Sequence, residues 1–365
     1  MKIKDICKYG IKSKIKAGDG LEKGEFKFFT SSSVCNKYLD YAQFEEPGII
    51  MGTGGNATLH YAEGDFSVST DCVVLLPDSN VNCKYLYYYL KKNIKILEAG
   101  FKGAGLKHTS KKYIDEIDVI DIPDKSLQLE IVKTLDKVGS IIDNRLIQLN
   151  ELDMLIKSQF VEMFGDNKYP IVKAQEICEF ITKGTTPKSG DIIEEHQIGY
   201  VPYLKVYNLS LDGSLLFEYK PQYVKKEIHD NLLARSKVYP KDVLMNIVGP
   251  PLGKFTLIPD GFSECNVNQA IAIFRATEKV KPRFLLYALM QPETLRPFID
   301  SAVGVRQQNL SLQQCRELEI PLPPIELQNQ FATFVQQVDK LKFKIQESLD
   351  EAQTLFDSLM QKYFG

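Results

Sequence analysis

The 365-residue chain has no apolar run approaching the roughly 18–20 residues that a membrane-spanning helix needs. Its start, Met1-Lys-Ile-Lys-Asp-Ile-Cys-Lys, lacks the apolar stretch of a secretory signal. The seven cysteines, at 7, 35, 72, 83, 178, 265 and 315, include no Cys-x-x-Cys pair. An odd, unclustered set argues against a zinc ribbon or a disulfide framework and suits a reducing compartment, so the chain reads as cytoplasmic. The histidines at 60, 108, 196 and 229 lie far apart without metal-ligand spacing and read as surface or loop residues. Neither a Gly-x-Ser-x-Gly elbow nor a paired-carboxylate motif is present. Gly52-Thr-Gly-Gly-Asn is glycine-rich, but a phosphate loop must open a helix and be followed by an acid about twenty residues on. Here Ala57-Thr-Leu-His-Tyr reads as another strand, so a hairpin turn is expected. Asn246-Ile-Val-Gly-Pro-Pro is not an Asn-Pro-Pro-aromatic methyltransferase motif: the prolines come three residues too late and no aromatic follows. No catalytic constellation stands out.

Charge of one sign is also lacking, with a net of -2. Its distribution is uneven, at +1 over 1–123, -3 over 124–167, +2 over 168–323 and -2 over 324–365. The two longer segments are slightly basic, an asymmetry that ordinary surface variation also produces.

What the chain does have is length for two domains, a hydrophobic fraction of 44% that gives each half a core, and an internal repeat. Residues 127–165 and 327–365 align without a gap at an offset of 200, with nine identities. They are Leu127/Leu327, Gln128/Gln328, Val138/Val338, Leu149/Leu349, Glu151/Glu351, Leu155/Leu355, Ser158/Ser358, Phe164/Phe364 and Gly165/Gly365. A short apolar strand running into proline precedes each copy, Ile117–Pro123 and Leu318–Pro324. Both copies read as long helices closing on glycine. The first carries a heptad seam of Leu135, Val138, Ile142, Arg145, Leu149, Leu152, Ile156, Gln159 and Met163. The second carries Phe331, Val335, Val338, Leu341, Ile345, Leu349, Ala352, Phe356, Leu359 and Tyr363. Seams of this kind pack on each other, with polar members fixing register. Ordinary amphipathic helices of one bundle are the plainer reading, but a whole globular segment precedes each helix.

Those segments are mixed. Strands are expected over Glu25–Thr30, Gly48–Met51 and Val68–Leu76, then a helix near Lys84–Leu97. The second half repeats the order with strands in 199–206, 242–248 and 269–275, and a helix near Pro282–Met290. The fold class is therefore α+β. Two tandem mixed domains occupy 1–123 and 168–323, and spacer helices occupy 124–167 and 324–365.

This organisation resembles the specificity subunit of a type I restriction-modification enzyme over essentially the whole chain. The resemblance rests on several patterns in order. They are Gly184-Thr-Thr-Pro; Tyr200-Val-Pro-Tyr-Leu-Lys-Val-Tyr-Asn-Leu; Asp242-Val-Leu-Met-Asn-Ile-Val-Gly with Gly253; Val303-Gly-Val-Arg-Gln-Gln-Asn-Leu-Ser leading to Leu318-Glu-Ile-Pro-Leu-Pro-Pro-Ile-Glu-Leu-Gln; and the helix ending Phe-Gly. The first half departs from it, with Glu25-Phe-Lys-Phe-Phe-Thr-Ser-Ser-Ser where the second has Tyr200-Val-Pro-Tyr-Leu-Lys-Val. The chain also begins directly in its first domain and ends soon after the second helix, where family members often carry further segments. The resemblance implies two target-recognition domains, each reading half of a bipartite sequence in double-stranded DNA. It implies an antiparallel coiled coil that acts as a ruler and docks two methyltransferase subunits, with restriction subunits as further partners. It implies no membrane partner and no cofactor on this chain, since S-adenosylmethionine would belong to the methyltransferase partner.

The polar loops supply candidate DNA contacts. Arg306, Gln307, Gln308 and Asn309 are side chains that pair with guanine and adenine edges. The first-half counterpart offers Lys102, Lys107, His108, Thr109 and Ser110, with glycines that admit a backbone close to DNA. Lys205, Tyr207, Asn208, Asn266, Asn268 and Gln269 form a further polar group, and Ser31, Ser32 and Ser33 stay unassigned. Solvated loops would look the same; the repeat favours DNA reading for 306–309. Two other functions remain in view. One is a coiled-coil scaffold that binds only protein, separable by DNA binding. The other is a self-contained methyltransferase or endonuclease, which the missing motifs argue against.

Overall fold

The chain is described by a computed structural model covering residues 1–103, 105, 107–119, 122–165, 168–249, 251–300 and 309–365. Two compact units emerge, Met1–Ile147 with Gln346–Gly365, and Gln148–Ile345. Each therefore holds one α+β domain, part of the helix Lys125–Phe164 and part of the helix Ile325–Phe364.

In the first unit, strands Cys7–Tyr9, Cys72–Pro77, Gly48–Gly52 and Leu59–Ala62 form an antiparallel sheet in that order. Alternation along the strands divides two cores, because successive side chains leave opposite faces. Ile49, Met51 and Leu75 join helix Cys83–Lys92 and the long helices. Ile50 and Val74 instead join Phe29, Phe44 and Phe66. Phe29 and Phe66 lie on a second sheet of Lys37–Leu39, Phe26–Phe29 and Phe66–Val68, in which Phe26–Phe29 runs parallel to Phe66–Val68. The glycine-rich 52–58 segment does turn between antiparallel strands, as expected. The single strand expected over Val68–Leu76 is two strands, broken at 69–71. The expected helix over Lys84–Leu97 is interrupted at Asn93, whose amide donates to Tyr89 O and Phe364 O.

The second unit repeats the plan. Strands Phe255–Leu257, Val243–Asn246, Ile271–Ala276 and Cys178–Lys183 form an antiparallel sheet. Val243, Met245, Ala272 and Phe274 face helix Pro282–Leu289 and the long helices. Leu244, Ile271 and Ile273 face Leu204, Val238, Cys265 and Val267. Those four belong to a five-stranded sheet ordered Ile192–Ile193, Tyr223–Lys225, Tyr200–Leu204, Cys265–Val267, Lys237–Val238. Tyr200–Leu204 runs parallel to Cys265–Val267. The two segments that differ in sequence, around Glu25 and Tyr200, thus hold the same place: each is a strand paired in parallel ahead of the site described below.

Each long helix has 40 residues, about 60 Å at 1.5 Å per residue. Within each unit they pack antiparallel. In the first unit Arg145 Nε donates to Ser348 Oγ at 3.2 Å, and Gly139 lies against the Phe356 ring. In the second unit Lys342 Nζ pairs with Asp153 at 2.6 Å, and Phe160 meets Phe331 edge-on at 5.3 Å. The first seam is buried or half-buried throughout. The second has one correction: Leu341 is exposed and Lys342 takes its place. Offset by 200, Lys342 matches the seam residue Ile142 and Leu341 the exposed Ile141.

Two buried glutamines tie each helix start to its domain. Gln128 Oε1 accepts from Asn82 N, and its Nε2 donates to Asn80 O and Pro123 O. Gln328 Oε1 accepts from Lys281 N, and its Nε2 donates to Lys279 O and Pro323 O.

Candidate nucleic-acid interface

At one end of each main sheet, three loops are held together by the same three backbone hydrogen bonds. In the first unit they are Ser69 N to Phe29 O (2.9 Å), Thr53 N to Asp71 O (2.8 Å) and Thr109 N to Thr53 O (3.1 Å). In the second they are Asn268 N to Leu204 O (3.0 Å), Ile247 N to Ala270 O (2.8 Å) and Leu310 N to Ile247 O (2.9 Å). The ladder ends on a helix N-cap in both. Ser110 Oγ accepts from Tyr113 N, and Ser311 Oγ accepts from Gln314 N. Capping satisfies one of the orphan amides of a first helical turn, so the Ser110 hydroxyl oxygen is engaged in positioning the loop while its O–H stays available to donate.

In the first unit Lys102 and His108 exchange backbone bonds of 3.0 Å, and Gly55 N donates to Lys107 O at 2.9 Å. Gly55 has φ +83, which a side chain would strain. The result presents Lys102, Lys107 and His108 in solvent beside the 53–55 turn. Ser31 Oγ donates to Asp71 O at 2.7 Å, which places the unassigned serine run at the same loops. Three exposed lysines outside the loop motifs also lie here. Lys12, Lys14 and Lys16 alternate along an extended segment that reaches the ladder through Thr70 N to Ile15 O at 2.8 Å. Their pattern in the sequence is lysine at every second position of Gly10-Ile-Lys-Ser-Lys-Ile-Lys.

In the second unit Gly184 packs against the strand Cys265–Val267 so closely that a Cβ would lie 2.1 Å from Val267 O. Only glycine fits, which explains the Gly184-Thr-Thr-Pro pattern. The approach sets Thr186 Oγ1 to accept from Gln269 N at 3.3 Å and Thr185 N to donate to Val267 O at 3.2 Å. Lys205, Asn268 and Gln269 are thus brought together, with Gln269 exposed. Asn268 Oδ1 is buried without a hydrogen-bond partner. The half-buried Tyr207 ring meets Tyr219 at 6.2 Å, and burial raises its phenol above the usual range. Asn309 is exposed and bridges to Val248. Arg306, Gln307 and Gln308 lie outside the described residues.

Three polar residues belong to the scaffold instead. Asn208 is fully buried: its Oδ1 accepts from Lys205 N, and its amide donates to Leu216 O and Tyr219 O. No polar atom is left to read a base. Asn266 is equally buried, and its amide donates to Leu233 O and Ser236 O. His229 is fully buried rather than in a surface loop, with Nδ1 bonded to the remaining Asn266 oxygen. Among the described residues no three His, Cys, Asp or Glu side chains gather as a metal site, and no helix is long and apolar enough to cross a membrane.

The comparisons with known proteins agree with this repeated construction. The EcoBI type I restriction enzyme specificity subunit of Escherichia coli is 22% identical, aligned over 94% of this chain and 77% of its own length. The MjaVIII specificity subunit of Methanocaldococcus jannaschii is 23% identical over 99% of this chain and 91% of its own. The crystal structure of the type I restriction-modification S subunit from M. genitalium superposes with a TM-score of 0.66 at 16% identity, covering 100% of this chain and 95% of that one. The family described as the type I restriction modification DNA specificity domain matches residues 1–152 and again 167–352. Two matches spanning most of the sequence, one on each copy of the loop ladder, place the chain in the type I restriction-modification DNA specificity family.

Proposed function

We propose that the chain is a non-catalytic reader of a bipartite DNA target, each unit recognising one half-site and the whole directing partner methyltransferase subunits. The observation that carries this reading is the loop ladder built twice, each copy presenting exposed polar or basic side chains. Phosphate contacts from lysines would set position on the duplex, while side chains that reach base edges would set sequence. Lys102, Lys107, His108 and Thr109 are the contacts proposed for the first unit. Lys205, Tyr207, Asn268, Gln269 and Asn309 are those proposed for the second, with Arg306, Gln307 and Gln308 of the adjoining segment. The length of the two helices is proposed to set the spacing between half-sites.

Partners are proposed to dock on the outward faces of the long helices. Leu146, Ile147 and Leu355 of the first unit, and Met154, Leu341 and Phe343 of the second, are exposed on these helices, each at 45% or more. Methyl transfer, with S-adenosylmethionine, is assigned to those partners, and restriction subunits would join the same assembly.

The test is reconstitution with a candidate methyltransferase subunit. The chain alone should transfer no labelled methyl group to DNA, and the complex should transfer it at a defined sequence. Its affinity should fall linearly in log–log form as salt rises. Transfer by the chain alone would overturn the non-catalytic assignment, and a complex without DNA affinity would leave a protein-only scaffold.

A further inference from the structure

Arg235 is an exposed arginine fixed from two sides, and neither fixing contact is a carboxylate. Its backbone sits in the turn Ala234–Ser236. The fully buried Asn266 clamps that turn through Leu233 O and Ser236 O, both at 3.1 Å. Asn266 itself lies on the strand that leads into Asn268 and Gln269. The side chain is fixed separately. Nε donates to Thr185 Oγ1 at 3.2 Å, and Thr185 belongs to the turn that Gly184 presses onto the same strand. Among the described residues the two terminal nitrogens of Arg235 have no hydrogen bond or ion pair. Arg275 and Arg283, by contrast, are committed to Asp242 and Asp339.

A guanidinium held at Nε keeps its Nη1–Nη2 edge as a preset fork. Such a fork matches the O6 and N7 acceptors of guanine in the major groove, and holding it in advance lowers the entropy lost on binding. Thr186, next to Thr185, accepts from the backbone N of the exposed Gln269, and the preceding Asn268 has a buried oxygen without a partner. We infer that Arg235 is a specificity-determining residue of the second unit and reads one guanine of its half-site. This rests on the reading of the loop ladders as DNA-recognition sites.

The experiment uses the chain reconstituted with its methyltransferase partner, and measures binding across duplex libraries in which each half-site is randomised in turn. Wild type, Arg235→Ala and Arg235→Lys are compared. Both variants should lose a guanine preference at one position of one half-site, on the order of ten- to a hundredfold, and leave the other half-site unchanged. Retention of the wild-type preference by the lysine variant would overturn the preset fork inferred for Arg235, because a single ammonium donating to the same acceptors would then suffice. So would a uniform loss across all sequences, the mark of a phosphate contact, or no change in either variant. A wild-type complex with no preference in either half-site would fail earlier and overturn the underlying reading of the loops along with the inference.

Discussion

At Gln128 and Gln328 a single side chain joins three backbone groups from separate segments, and both residues are fully buried. Truncation at either position would strand one backbone N–H and two carbonyls away from water, each costing about 1–3 kcal/mol if left unpaired. Partial access of water offsets some of that. Gln128→Ala and Gln328→Ala should each lower stability by about 2–4 kcal/mol in urea unfolding, whereas Ala at the exposed Gln330 should change it by about 0.5 kcal/mol or less. Equal effects at Gln328 and Gln330 would contradict the stapling role. The identity of the two glutamines is visible in the repeat, but their task is not, since it depends on which carbonyls the fold brings near. Asn208 and Asn266 show the same limit. An asparagine in a polar stretch suits a base edge or a buried clamp equally well, and only the surrounding backbone decides which. Arg235 is hidden in the sequence for the converse reason: Ala-Arg-Ser carries no motif, and its partner Thr185 is fifty residues away in sequence.

The long helices are the most legible elements, because a three-and-four spacing sustained over 40 residues is the signature of a helix with one buried stripe, and no strand produces it. At position 341 apolar character and the repeat disagree, and the repeat is the better guide. The neighbouring Lys342 occupies the seam because Asp153 accepts its charge there. The strand expected over Val68–Leu76 fails at Ser69-Thr-Asp71, where the backbone leaves the sheet to form the ladder. That departure forms part of the loop cluster proposed to meet DNA. The proposed docking faces give an element-scale prediction. Phe343→Asp, at a position 64% exposed, should leave the melting temperature of the chain unchanged and weaken binding of the methyltransferase subunit at least tenfold. Val338→Asp, at a buried seam position, should instead unfold its unit, because an unpaired carboxylate would replace packed apolar surface. Co-purification and thermal melting separate the two, and undiminished partner binding by Phe343→Asp would rule out that face.

Across the whole molecule, the offset of 200 residues announces a duplicated architecture from the sequence alone. It does not announce that each compact unit draws on both long helices. A linear reading assigns each helix to one segment, while burial is settled by which residues meet in space. Phe164 lies in the core of the second unit and Phe364 in that of the first, so the identical C-terminal Phe-Gly pairs serve opposite domains. The measurement that bears most directly on the central claim is a genome-wide map of modified bases in the host, with and without this gene. Deletion should abolish methylation at one motif made of two short half-sites with a fixed gap, while every other motif persists. If the modified motifs stayed identical while the partner methyltransferase subunit was demonstrably expressed, the assignment of target recognition to this chain would be contradicted.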